Sequence, residues 1–177
     1  MKVLSATSVQ TFLRKSQFMM EDSLPKIIEL ENIYGTANSN GFGSAVFYEE
    51  MPEGKTVEEI AFKHYRDFIG AKWNDETETG WLSTWKNVYK RRDVEKKDIL
   101  SELAEISDPA AKQSIPLLTE FVTDAEQCKK ALATFFDDPQ IAALTINLIG
   151  DGAELSGIIV TAVSIENKVC SVVCLMD

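Results

Sequence analysis

The sequence lacks the features that mark exported, membrane-spanning and zinc-dependent proteins. It has one histidine in 177 residues, which is too few for a typical zinc site of clustered His and Cys ligands. No stretch approaches the roughly 18 consecutive apolar residues of a membrane span. Polar residues between Ser5 and Thr11 interrupt the apolar core that a signal peptide needs. We therefore expect a cytoplasmic protein that holds no metal ion and does not associate with membranes.

Cysteine is also scarce, with three residues and no paired spacing. Cys170 and Cys174 are four apart in a predicted strand, so they share one face at a separation of about 13 Å. That distance is too long for a direct disulfide. We expect Cys128, Cys170 and Cys174 to be buried free thiols, and a redox pair at Cys170 and Cys174 is the alternative.

No phosphate-binding loop is present. The chain has no Gly-Lys-Ser or Gly-Lys-Thr tripeptide, and Gly41-Phe42-Gly43 follows a predicted helix instead of a strand. A dinucleotide loop needs the opposite order. The residues 38–43 therefore predict a turn that leads into a strand near 44–50, and we expect no nucleotide or other cofactor to bind there.

The length and the composition predict one globular domain over residues 1–177, since 45% of the residues are hydrophobic and 26% are charged. Capping residues and apolar residues at helical spacing predict most of the chain before residue 140 to be helical. The individual predicted helices cover residues 8–20, 23–34, 56–68, 96–107, 108–122 and 124–136.

The C-terminal part has a different pattern. Three runs rich in β-branched residues, at 144–149, 156–165 and 169–176, predict an antiparallel meander. The fold class is therefore α+β, with a three-stranded meander that the strand near 44–50 would extend. Because the runs are almost continuously apolar, we expect helices on one face of the sheet and another cover, such as a second subunit, on part of the other.

The single histidine lies on the apolar stripe of the helix that Thr56 caps. No Gly-x-Ser-x-Gly motif is present for His64 to serve as a base. We expect a structural histidine that bonds a carbonyl or a carboxylate. The alternative is a catalytic His64 oriented by Asp67, and no residue is assigned as catalytic.

The segment "NDETETGWLSTWKNVYKRR" (residues 74–92) predicts a helix that carries aromatic residues on one face. Such a stripe is either part of the core or an anchor for a partner, and acidic residues precede it. If at least one indole reaches the surface, a carboxylate rim lies beside aromatic anchors. The predicted partner-binding residues are Asp75, Glu76, Glu78, Trp81, Trp85 and Tyr89.

The formal net charge is −10, yet Lys86 to Lys97 contains six basic and two acidic residues. We expect this basic segment, predicted as helical, to neutralise acidic neighbours. A nucleic-acid-binding surface is disfavoured, because most of the negatively charged protein surface would repel phosphate groups. An acidic surface instead favours a basic protein partner.

A helix that begins "LP", followed by "NSNG" and a strand (residues 24–50), resembles the start of the SUKH superfamily of immunity proteins. The helix-rich middle and the C-terminal meander differ from what this resemblance implies, and no functional residue is transferred. The leading hypothesis is a cytoplasmic acidic protein-binding module, such as an immunity or inhibitor protein that neutralises a basic toxin or nuclease. A self-associating adaptor or regulatory subunit that pairs through its sheet is the second, with a homo-oligomer as its consequence, and a small-molecule enzyme is the third.

Overall fold

A computed structural model describes residues 23–74, 78–120 and 124–177. Residues 23–34 form α1, and the chain then alternates between strands and helices before the C-terminal meander. The other elements are β1 (Gly43–Glu50), α2 (Val57–Ile69), a 3-10 helix (Gly70–Asn74), α3 (Glu78–Thr84), β2 (Lys86–Lys90), α4 (Ile99–Glu105), α5 (Pro109–Thr119), α6 (Ala125–Phe136), β3 (Ile141–Gly150), β4 (Ser156–Ser164) and β5 (Lys168–Met176).

The five strands form one antiparallel sheet in the order β1-β5-β4-β3-β2. The three C-terminal strands are its centre; β1, the predicted extension, lies at one edge, and β2, which was not predicted as a strand, lies at the other. The α+β class, the C-terminal meander and the strand near residues 44–50 are therefore confirmed. The predicted helix over residues 8–20 lies outside the described residues.

Side chains alternate between the two faces of the sheet along each strand, and both faces are apolar. Residues such as Ile146, Val160 and Val172 point to one face and form the larger core with α1, α4, α5 and α6. Ile159 and Val173 point to the other face, where α2, the 3-10 helix and α3 cover them. The cover on the second face is thus supplied by helices of the same chain, and not by another subunit as the sequence had suggested.

Local chemistry sets the start of three of the predicted helices, α2, α5 and α6. Thr56 and Glu59 form a capping box at α2, and Gly70 ends this helix with a φ of 63°. Asp108 accepts hydrogen bonds from the first turn of α5, where Pro109 needs no donor partner. Asp124 caps α6 in the same way. These signals are local in the chain, which explains why the sequence predicted these helices.

The predicted helix through Trp81 and Tyr89 is wrong. The helix ends at Thr84, and the next residues form β2 on the edge of the sheet, where Lys86 pairs with Leu148. A bulge at Val88 turns Val88 and Tyr89 towards the larger core. Pairing with β3 therefore overrides the helical spacing of the aromatic residues.

None of the described helices is long and apolar enough to cross a membrane.

Candidate partner-binding surface

Five aromatic rings pack together on the α2 side of the sheet. Tyr65 is at their centre: its ring stacks on Trp85 at 5.7 Å between centroids and meets Trp73 edge-on at 5.2 Å. Phe62 contacts Trp85 edge-on at 5.1 Å. Trp81 completes the cluster at 6.4 Å from Tyr65. Contacts of this geometry stabilise beyond the area they bury, so the cluster holds α2, the 3-10 helix and α3 together.

Hydrogen bonds anchor the buried side of this cluster. The Tyr65 hydroxyl donates to the carbonyl oxygen of Gly150 at 2.8 Å and accepts from the Gly150 N–H at 3.2 Å. Burial raises the pKa of Tyr65 to about 12, so the hydroxyl stays protonated. The Trp81 indole is almost fully buried and donates Nε1–H to the carbonyl oxygen of Lys72. Trp81 is therefore a core residue that ties α3 to the 3-10 helix.

The outer side of the cluster reaches solvent. Phe62 and Trp85 are partly buried, and Leu82 is 48% exposed. Glu78, Leu82 and Trp85 are spaced four and three residues apart, which places them along one side of α3 and its end. Glu78 is exposed. An acidic residue, an aliphatic residue and an indole thus lie in one line on the surface.

The β3–β4 loop, which contains Asp151 and Glu154, packs against α3. Gly80 of α3 packs so closely on the loop that a Cβ there would lie 2.2 Å from the carbonyl oxygen of Asp151. The Asp151 carboxylate accepts hydrogen bonds from the backbone N–H groups of Ala153 and Leu155, which fixes the loop. Glu154 in this loop is exposed. We name the apolar residues Phe62, Leu82 and Trp85, with the carboxylates of Glu78 and Glu154, the aromatic–acidic surface.

The predicted partner-binding residues are only partly brought together. Glu78, Trp81 and Trp85 belong to one region, although Trp81 is buried. Tyr89 packs against the larger core on the other face of the sheet, where burial and the nearby Glu102 carboxylate raise its pKa. Asp75 and Glu76 lie outside the described residues. Phe62 and Leu82 were missed. Only the tertiary contact with Trp85 brings Phe62 of α2 to this surface.

A chain of hydrogen-bonded polar side chains lies between α2 and the sheet. His64 Nδ1 is 2.7 Å from Ser171 Oγ, and His64 Nε2 is 3.0 Å from a Glu49 carboxylate oxygen. Thr161 Oγ1 lies 2.7 Å beyond Ser171 Oγ. Because a carboxylate only accepts, Nε2 carries the proton, Ser171 donates to Nδ1, and Thr161 donates to Ser171.

The charge states around His64 fit this chain of hydrogen bonds. Burial lowers the pKa of His64 against the opposing effect of Glu49, so the ring is neutral near pH 7. Burial acts to raise the pKa of Glu49, but hydrogen bonds from Lys63 and His64 outweigh it and lower that pKa. The predicted bond from His64 to a carboxylate is confirmed. Asp67, the alternative partner, pairs with Lys63 at 3.3 Å.

The geometry of Glu49, His64 and Ser171 resembles an acid–base–nucleophile triad, but its position does not. Ser171 is in the middle of a central strand, and its residue surface is completely buried. A nucleophile must reach a substrate carbonyl, and the Ser171 Oγ is enclosed by His64 and Thr161. The chain of hydrogen bonds therefore satisfies buried polar groups of the sheet.

The basic segment from Lys86 to Lys97 contacts acidic neighbours as expected, although it is a strand and a loop. Lys86 pairs with Asp108 at 2.7 Å, and Lys90 pairs with Glu58 at 2.8 Å. Buried Arg91 donates to both carboxylate oxygens of Glu102 at 2.6 Å and to the carbonyl oxygen of Phe136. These contacts join β2 to the surrounding helices.

All three cysteines are buried free thiols, as predicted. Burial raises the pKa values of Cys170 and Cys174 far above the ordinary thiol range. In the described ranges 23–74, 78–120 and 124–177, no three His, Cys, Asp or Glu side chains come close enough to hold a metal ion.

Comparison of the chain with protein-family models, with curated proteins and with solved structures found no match.

Proposed function

We propose that this protein is a cytoplasmic protein-binding module that engages a basic partner through the aromatic–acidic surface. The observation that carries the proposal is the position of Trp85, which is ordered by Phe62 and Tyr65 yet keeps part of its surface in solvent beside exposed Leu82. Tryptophan is enriched among the residues that dominate interface energy. A basic toxin or nuclease is the partner class that this module would neutralise.

The rigidity of Trp85 supports its use as an anchor. Binding usually costs the conformational entropy of the side chains that become ordered. The ring of Trp85 already stacks on Tyr65 with an interplanar angle of 14° and meets Phe62 edge-on. An indole that is held in this way loses little further freedom when a partner covers it.

The charge distribution supports a basic partner. Glu78 is exposed in the line with Leu82 and Trp85, and Glu154 is exposed in the loop that packs on Gly80 of α3, in a chain whose net charge is −10. A surface with a negative electrostatic potential accelerates association with a positively charged protein. Two lysines of the neighbouring strand β2, Lys86 and Lys90, are paired with Asp108 and Glu58.

The two other hypotheses have less support. An enzyme would need an accessible nucleophile or base, and both Ser171 and His64 are buried. A subunit that stacks through its sheet would need an uncovered face, and helices of the chain lie on both faces. Pairing between edge strands β1 or β2 of two copies would be detected as a dimer in sedimentation, and we treat that result as favouring the adaptor hypothesis.

The experiment uses the full chain as an immobilised bait at low ionic strength, followed by elution with a salt gradient and identification of the released proteins. Binding kinetics are then measured with the recovered partner for the wild type and the variants. We expect a partner of high isoelectric point whose association slows as salt screens charges beyond about 8 Å. Leu82→Ser and Trp85→Ala should speed dissociation, and Glu78→Gln with Glu154→Gln should slow association.

Matched variants distinguish a local effect from a general one. Val94 is 48% exposed, as Leu82 is, but belongs to the loop after β2, so Val94→Ser should bind normally. Glu53→Gln with Glu120→Gln removes the same charge from exposed positions elsewhere in the chain. If the Glu78 and Glu154 variant associates at the wild-type rate at low salt, or if Val94→Ser weakens binding as much as Leu82→Ser, the proposed surface is wrong.

A further inference from the structure

A cleft of about 80 Å³ lies on the opposite side of the sheet from the aromatic–acidic surface. Its apolar walls come from Tyr48, Phe135 and Ile141, at the end of β1, the end of α6 and the start of β3. One water molecule needs roughly 10–15 Å³ of such volume. The cleft therefore has room for a small organic molecule as well as for water.

An unsatisfied hydrogen-bond acceptor lies at this cleft. The side-chain oxygen Oε1 of Gln140, a residue of the cleft wall, is buried and has no hydrogen-bond partner among the described residues. The Gln140 backbone is held on both sides, because its N–H donates to Asp138 and its carbonyl oxygen accepts from the N–H of Ile165. Leaving a buried acceptor unpaired is unfavourable, so a donor that reaches Oε1 gains a hydrogen bond. The terminal amide torsion is soft, so Oε1 can turn towards a donor inside the cleft.

Charges of both signs line the same cleft. Lys26 forms an ion pair with Asp138 across it, and Lys168 is held by Glu50 at 2.5 Å. The Glu166 carboxylate also lines the cleft. Beyond the Lys26–Asp138 pair, the cleft offers one ammonium group, that of Lys168, and one carboxylate, that of Glu166, which match a ligand that itself carries one charge of each sign.

We propose that this cleft binds a free α-amino acid with an aliphatic side chain. The ligand ammonium donates to Gln140 Oε1 and faces Glu166, and the ligand carboxylate faces the Lys168 ammonium. The aliphatic side chain packs against Tyr48, Phe135 and Ile141. This site is independent of the proposed partner surface, because the sheet separates the two.

The test is a titration of the full chain with three probes of similar size, followed by calorimetry and thermal unfolding. The probes are L-leucine, which has both charges, isoamylamine, which has only the ammonium, and isovalerate, which has only the carboxylate. We expect L-leucine to bind and to raise the unfolding temperature, and both single-charge probes to bind at least about tenfold more weakly, since a charged hydrogen bond contributes about 1.5–3 kcal/mol.

Two variants examine the assigned contacts. Gln140→Met should reduce leucine affinity about tenfold, and it should not lower the unfolding temperature of the free protein, because it removes an unpaired acceptor. Gln113→Met, at an exposed position of α5, is the matched control and should bind leucine normally. Lys168→Met should reduce the affinity for leucine and leave the affinity for isoamylamine unchanged.

Each contrary result overturns the proposal. An absence of binding by all three probes shows that the cleft holds water only. Equal affinity for leucine and isoamylamine shows an amine site without recognition of a carboxylate. Unchanged leucine affinity in both Gln140→Met and Lys168→Met shows that leucine binds elsewhere. None of these three results bears on the partner surface, whose variants and readout are separate.

Discussion

The hydroxyl of Ser171 on β5 lies 2.7 Å from Nδ1 of His64 on α2, and both side chains are almost fully buried. This hydrogen bond connects the helical layer to the centre of the sheet through side chains that are 107 residues apart in the sequence. With His64 neutral, the Ser171 hydroxyl donates this bond to Nδ1; a protonated ring would have to donate it instead, and Ser171 would then turn its own proton towards Thr161.

Stability should therefore depend on pH through His64. The folded pKa is below the ordinary value of 6.5, so the unfolded chain binds more protons as the pH falls below 6.5. The stabilisation from neutral His64 is fully present above pH 6.5 and is lost as the pH falls towards the folded pKa. Urea unfolding between pH 5 and 8 should show a free energy that rises with pH in the wild type. The slope should be smaller in His64→Gln, and an equal slope in the two proteins would contradict the assignment.

Ser171 should be unreactive in the folded protein. An organophosphonate that modifies activated serines should leave Ser171 unlabelled under native conditions, because the residue is completely buried. Mass spectrometry of the treated protein measures the labelling. Stoichiometric labelling of Ser171 in the native state would instead favour the enzyme hypothesis.

Ser171→Ala should destabilise the fold by about 1–3 kcal/mol, because His64 Nδ1 and Thr161 lose their buried partner. Ser156→Ala, at an exposed position at the start of β4, is the control and should change the unfolding free energy little. Both values come from urea unfolding at pH 7.5. If the two variants are equally stable, the buried hydrogen bonds contribute less than the geometry implies.

The buried pair of Arg91 and Glu102 should show strong coupling. Glu102→Leu leaves the Arg91 guanidinium without its two carboxylate contacts in a buried place, and we expect a loss of about 3–5 kcal/mol. The double variant Arg91→Met with Glu102→Leu removes both charges and should be more stable than Glu102→Leu alone. A double-mutant cycle by urea unfolding measures the coupling. Additive losses would show that the two side chains act independently.

Gly80→Ala should reverse the usual effect of alanine in a helix. Alanine normally stabilises a helix interior by roughly 0.5–1 kcal/mol over glycine. At this position the new Cβ would be 2.2 Å from the carbonyl oxygen of Asp151, and overpacking costs about 1–3 kcal/mol. We expect a lower unfolding temperature and, because the β3–β4 loop must shift, weaker binding at the aromatic–acidic surface. A stabilised Gly80→Ala protein would show that the loop yields without cost.

The sequence predicted those elements whose signals are local. For these elements, residues close together in the sequence are enough to predict the structure. Examples are the capping box of Thr56 and Glu59, the Asp108-Pro109 start of α5 and the β-branched runs of the meander. The prediction failed between Trp85 and Lys90, where helical spacing and β-branched or aromatic residues gave opposite signals. Pairing with β3 decided in favour of a strand.

The candidate surface shows the same division. The sequence by itself determined the net charge, the acidic residues next to aromatic ones along the chain, and the position of Cys170 and Cys174 in an apolar strand. The tertiary structure decided that Trp81 belongs to the core, that Trp85 keeps solvent contact, that Tyr89 faces the opposite side of the sheet, and that Phe62 of α2 joins the surface. The physical reason is that burial depends on which distant element packs against a side chain, whereas capping and strand propensity depend on neighbours along the chain.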